Sequence, residues 1–165
     1  MAEAFNDLTL PAAKAARYAA LAEEVAAVLE GERNFTARLA TVAAMLAQAF
    51  DHYFWAGFYL VDAARPDELV LGPYQGTLGC LRIAFGRGVC GTAAAERRTV
   101  IVPDVEAFPG HIACDSRAKS EIVVPVLGPG GALIGVFDVD STELAAFDDT
   151  DAAGIERILS ETFGR

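Results

Sequence analysis

Residues 121–140 read EIVVPVLGPGGALIGVFDVD, two apolar runs rich in β-branched side chains on either side of Gly128-Pro129-Gly130-Gly131. Branched and aromatic residues suit a pleated, half-buried surface, and a Gly/Pro cluster between two such runs marks a β-hairpin. Whether the turn closes over two residues or four, symmetric pairing sets Leu127 against Ala132, Val124 against Gly135 and Glu121 against Asp138. Asp140 lies two residues beyond Asp138 and shares its face of the strand. Three carboxylates therefore gather at one end of an otherwise apolar hairpin. Like charges placed opposite one another destabilise a sheet. Such a cluster persists when it is solvated, when it holds a cation or when a member keeps its proton. The bland reading is a solvated sheet rim. The functional reading is a pocket that receives an ammonium group and lends a proton to a substrate oxygen. A hard metal is weaker, because three carboxylates lack a fuller oxygen set.

Upstream, residues 53–61 (YFWAGFYLV), 68–72 (ELVLG), 80–85 (CLRIAF) and 99–103 (TVIVP) read as strands bounded by Gly, Pro or Asp. Residues 86–98 (GRGVCGTAAAERR) read as a glycine-rich turn into a short helix. Helical spacing over 11–30 and 34–50 predicts two helices, with Pro11 suited to a first turn and Gly31 to the stop after Glu30. From Phe147 an amphipathic helix with acidic residues in its first turn closes the chain. Helices first and last around consecutive strands predict an α+β fold with a largely antiparallel sheet. A single domain is expected over residues 1–165: a helical part (1–50), a sheet with its loops (53–142) and a closing helix (147–164).

Thirteen basic against twenty-three acidic residues give a formal charge of −10, and 53% of the 165 residues are hydrophobic. That balance fits a packed domain and disfavours nucleic-acid backbones and anionic membranes as partners. No apolar stretch reaches the roughly 20 residues of a membrane helix, and no export signal is visible. A cytoplasmic protein is expected, with its three cysteines kept as thiols.

The chemistry concentrates in residues 104–121, DVEAFPGHIACDSRAKSE. A loop this long inside a compact domain tends to be functional. His111 and Arg117 or Lys119 are each placed to favour the thiolate of Cys114, the reactive form of the thiol. Cys90 sits where a helix begins, a position that also lowers a thiol pKa. Cys80 starts a strand and has no such feature. His111 and Cys114 are three apart, but without a C-x-x-C pair a zinc site is disfavoured. On the first strand Trp55, Gly57 and Tyr59 share one face, and Phe54 and Phe58 take the other. Trp55 and Tyr59 are candidates to wall a pocket for a thioether-sized group.

Together WAGFYL (55–60), LGPYQG (71–76), GRGVCGTAA (86–94), VPDVEAFPGHIACDS (102–116), SEIVVPV (120–126) and GVFDVDS (135–141) closely resemble the free methionine-(R)-sulfoxide reductases, a branch of the GAF-domain fold. Tyr74 stands where that family usually has Phe, and Arg117-Ala118-Lys119 is a variable stretch; neither departure falls on a candidate site residue. The resemblance implies a six-stranded antiparallel sheet flanked by helices, frequently in a homodimer. It makes Cys114 the catalytic cysteine, Cys80 the one that resolves it and Cys90 an assisting third. Which of Cys80 and Cys90 answers first stays open. Glu121, Asp138 and Asp140 match carboxylates that hold the substrate, and Trp55 and Tyr59 match pocket aromatics. The implied reaction needs neither an organic cofactor nor a metal. Cys114 takes oxygen from free methionine-R-sulfoxide and becomes a sulfenic acid, which condenses to a disulfide that thioredoxin reopens. The rival reading is a non-enzymatic GAF sensor module that binds a small molecule.

Overall fold

Two helices form where the spacing predicts them: α1 at Lys14–Val28 and α2 at Phe35–Ala49. These bounds come from a computed structural model that describes residues 10–165. The first nine positions of the expected helical part (1–50) lie outside the described residues. Asn34 caps α2, its side chain accepting from the Ala37 N–H. Six strands follow: β1 (Trp55–Asp62), β2 (Arg65–Gln75), β3 (Arg82–Ala84), β4 (Val100–Val102), β5 (Ser120–Leu127) and β6 (Leu133–Ser141). A short α3 (Gly88–Glu96) lies between β3 and β4, and α4 (Asp149–Phe163) closes the described chain. The strands form one antiparallel sheet in the order β3-β2-β1-β6-β5-β4. The fold is α+β, as expected.

β2 is longer than the ELVLG run that announces it. Its register against β1 shifts between Gly57 and Tyr59 and again between Val61 and Asp62. Each shift breaks the period-two alternation by which a strand is read.

The hairpin register departs from the symmetric expectation. The Gly128 N–H donates to the Ala132 carbonyl across a five-residue loop, so Leu127 meets Leu133. A bulge next to Val126 then adds one more residue on β6. As a result Glu121 pairs with Asp140, Val123 with Asp138 and Val124 with Phe137. The two single-residue slips sum to an even number, so every side chain keeps its face. Either slip alone would have moved Asp138 and Asp140 into the opposite core.

The sheet is covered on both sides. Phe58, Ile122, Val124, Phe137 and Val139 point toward α1, α2 and α4 and form the larger core with their buried faces. Within it runs a polar thread that no local sequence signal announces. Tyr18 donates to Asp151 Oδ1 at 2.8 Å and shares a 2.5 Å contact with the Tyr53 hydroxyl. Lys14 Nζ and the Asp148 N–H both donate to Asp151 Oδ2, at 2.7 and 2.8 Å. Asp148 caps α4 in a reciprocal box with Asp151. On the other face Val123, Val136, Trp55 and Tyr59 meet α3 in a smaller cluster. Among the described residues no helix is long and apolar enough to cross a membrane.

Candidate active site

The cleft lies on the smaller face, between the sheet, α3 and the loop that joins β4 to β5. Trp55, Tyr59, Cys90, Cys114, Glu121, Asp138 and Asp140 all line it. Cys80, the remaining candidate, is joined to Cys114 by a disulfide with Cα atoms 5.4 Å apart. The pairing links the β2–β3 connection to the β4–β5 loop. Cys114 is exposed and Cys80 is partly buried. A second tie runs beside the disulfide: Trp55 Nε1 donates to the Thr77 carbonyl, and the Thr77 hydroxyl donates to Asp115 Oδ2, both at 2.8 Å.

The aromatic wall is wider than two residues. Trp55 stacks on Tyr59 with ring centroids 5.8 Å apart and on Tyr74 at 5.2 Å. Gly57 permits that stack, because a Cβ there would stand 2.2 Å from Tyr74 Cβ and 2.8 Å from the Trp55 ring. The Tyr-for-Phe departure at position 74 therefore does touch the site, through Trp55. Phe54 also differs from expectation. It precedes the strand and packs with the cleft-side cluster rather than opposite Trp55, and the Arg117 guanidinium sits 4.8 Å over its ring.

The carboxylates are deeply placed. Glu121 is 5% exposed and Asp138 6%, and a carboxylate oxygen of one lies within 4.8 Å of a carboxylate oxygen of the other. Burial, with the neighbouring carboxylate adding repulsion, pushes both well above the ordinary carboxyl range and so favours their protonated forms. Burial likewise raises Asp140, helped by Asp138 and Asp115. Asp138 Oδ1 is enclosed and has no hydrogen-bond partner. The solvated-rim reading of Glu121 and Asp138 does not survive that burial, while Asp140 is half-buried.

Two expectations about the thiols are corrected. Cys90 is the third residue of α3, yet burial and the carboxylates of Asp138, Glu121 and Asp140 push its thiol up rather than down. Its Sγ instead stands 4.0 Å from Glu121 Oε1 as a neutral donor. The basic residues of the loop do not converge on Cys114 either. Arg117 pairs with Asp115 at 2.8 Å, and His111 Nε2 approaches Glu121 Oε2 at 3.3 Å. Burial lowers the His111 pKa, so its ring is neutral near pH 7.

A disulfide-linked cysteine pair with one exposed member, an aromatic wall and buried acids of raised pKa can serve thiol attack on a polar group whose oxygen needs protonation. A GAF domain model matches residues 32–162. A curated protein of Dictyostelium discoideum named GAF domain-containing protein A is 51% identical over 88% of this chain and 90% of its own length. The free methionine-R-sulfoxide reductase of Escherichia coli is 44% identical over 87% of this chain and 85% of its own. Among solved structures, the free methionine-R-sulfoxide reductase of Neisseria meningitidis in complex with its substrate superposes with a TM-score of 0.87. It is 51% identical and covers 95% of each chain.

Proposed function

Because the chain belongs to the GAF-domain family and matches free methionine-R-sulfoxide reductases over most of its length, we propose that it reduces free L-methionine-(R)-sulfoxide through Cys114. The observation that carries this reading is the disulfide between exposed Cys114 and Cys80 beside a cleft floored by buried carboxyls whose pKa burial raises.

The Cys114 thiolate attacks the sulfoxide sulfur while the Glu121–Asp138 pair gives its proton to the oxygen. The oxygen ends on Cys114 as a sulfenic acid, and methionine leaves with the electron pair on its sulfur. Cys80 then displaces water from that sulfenic acid and forms the disulfide. Cys90 takes the assisting part. Its raised, buried thiol is a poor nucleophile and a suitable hydrogen-bond donor to the acids. Glu121, Asp138 and Asp140 receive the ammonium group, and Trp55 and Tyr59 flank the thioether.

Thioredoxin recycles the enzyme, and the protein works as a homodimer. Support for a protein reductant comes from the collar around the disulfide. Leu78 is 83% exposed, Leu81 75% and Ile112 37%, each within two residues of a bonded cysteine. Large apolar side chains left in water at a redox site suit a docking protein.

Thioredoxin-coupled NADPH consumption with free methionine-R-sulfoxide tests the proposal. Turnover is expected for the wild type and none for Cys114→Ser. An inactive wild type, or an active Cys114→Ser, refutes it; binding without turnover points to a sensor.

A further inference from the structure

Beneath the disulfide, donor atoms of three kinds converge. Cys90 Sγ and one carboxylate oxygen each from Glu121 and Asp138 lie within 4.8 Å of one another. All three residues are more than nine-tenths buried. His111 adds an imidazole nitrogen 3.3 Å from Glu121 Oε2.

Two observations separate this set from an ordinary acid cluster. Asp138 Oδ1 lines the cleft and lacks any partner, although it is shut off from water. A buried acceptor left empty forfeits the hydrogen bonds that water would have given it. Among the described residues no Lys or Arg forms an ion pair with Glu121, Asp138 or Asp140, and His111 alone comes within reach. The fold thus buries two acids and a thiol side by side with no basic side chain of Lys or Arg among them.

The mixture of sulfur, nitrogen and oxygen donors identifies the ion class. Calcium and magnesium take six or more oxygens, whereas one thiolate, one imidazole and two carboxylates suit a borderline dication. Tetrahedral zinc, with bonds of roughly 2.0–2.3 Å, sets its ligand atoms about 3.3–3.5 Å apart. Cys90, Glu121 and Asp138 already stand within 4.8 Å of one another, and His111, which reaches Glu121, turns toward them to complete the four.

We propose that Cys90, Glu121 and Asp138, with His111 as fourth ligand, form a binding site for a zinc-like divalent cation at the carboxylate end of the cleft. On ligation the Cys90 thiol and the Glu121 and Asp138 carboxyls release the protons they hold to solvent. The site does not depend on the redox state of the surface pair, since neither Cys80 nor Cys114 belongs to it. The ligands are groups that the proposed reduction also uses, so the metal-bound form is an alternative to the working one.

The disulfide makes the test specific. In the oxidised protein Cys90 is the free cysteine, so a thiolate-to-cobalt charge-transfer band can arise from it alone. Cobalt(II) titrated into oxidised protein is expected to develop that band to saturation at one ion per chain, and zinc should abolish it. Cys90→Ala should remove the band, and the near-isosteric Asp138→Asn should weaken cobalt binding at least tenfold. Absence of a thiolate band in the wild type overturns the proposal, and so does a band that survives Cys90→Ala. Unchanged cobalt affinity in the double variant Glu121→Gln/Asp138→Asn overturns it too, even if Cys90→Ala does not fold. The titration involves no turnover, so its failure is distinct from inactivity toward methionine sulfoxide.

Discussion

Asp151 and Asp138 are both buried aspartates, on opposite sides of one sheet. Asp151 is 0% exposed and is met by Tyr18, Lys14 and the Asp148 backbone. Asp138 is 6% exposed, leans on another acid and leaves one oxygen unpartnered. Burial of a carboxyl therefore does not mark a working site. What marks it is whether the fold supplies the partners. The helical face completes its aspartate and gains a tie between α1 and α4; the cleft leaves its aspartate open to whatever enters.

Exchanging the two roles gives the largest expected effect. Asp138→Asn should lower kcat/KM by roughly 10²–10³, the size of a lost acid–base group, while the thermal midpoint holds or rises. A variant with full activity would erase the functional half of the contrast. Asp151→Ala should do the reverse. It strands buried Tyr18 and half-exposed Lys14, and urea unfolding should show a loss of about 2–3 kcal/mol with kcat/KM unchanged. Next comes Gly154, where a Cβ would lie 2.2 Å from the Tyr18 ring. Gly154→Ala should cost about 1–2 kcal/mol through overpacking, despite better helix propensity; a stabilised variant would show that Tyr18 is free to move.

The smallest effect is in the pH dependence, where the two faces carry opposite signs. Lys14 beside Asp148 holds that carboxyl at about 2, so its contribution is present above about 4 and lost as pH falls toward 2. Glu121 and Asp138 are raised, so the folded state binds more protons than the unfolded chain, and stability falls as pH climbs above about 4. Thermal midpoints measured from pH 3 to pH 8 should show a flatter alkaline side for Glu121→Gln/Asp138→Asn. If that double variant tracks the wild type above pH 5, the acids carry no such proton.

Much of this was legible in the residues. Alternating apolar runs gave the strands, and the Gly/Pro punctuation gave the hairpin. The FPGHIACDS segment pointed to the loop that carries Cys114. The facing of Glu121, Asp138 and Asp140 came out right while their pairing did not, because a bulge leaves no mark in composition. The thiol environments escaped for a different reason. Charge near Cys114 and a helix start near Cys90 are local features, whereas burial and the Asp115–Arg117 pair depend on elements far apart in sequence. Tyr18 and Asp151, separated by 133 positions, carry no shared signal at all.

The bond between Cys80 and Cys114 spans 34 positions and encloses α3, β4 and Cys90. On the proposed cycle the polypeptide alternates between an open thread and a closed ring. Ring closure trims the unfolded ensemble by about 4 kcal/mol at this span on a chain-entropy account. The open thread is then the form more easily lost to heat or proteolysis, so abundant reductant, which keeps the protein ready to work, also keeps it in its more perishable topology.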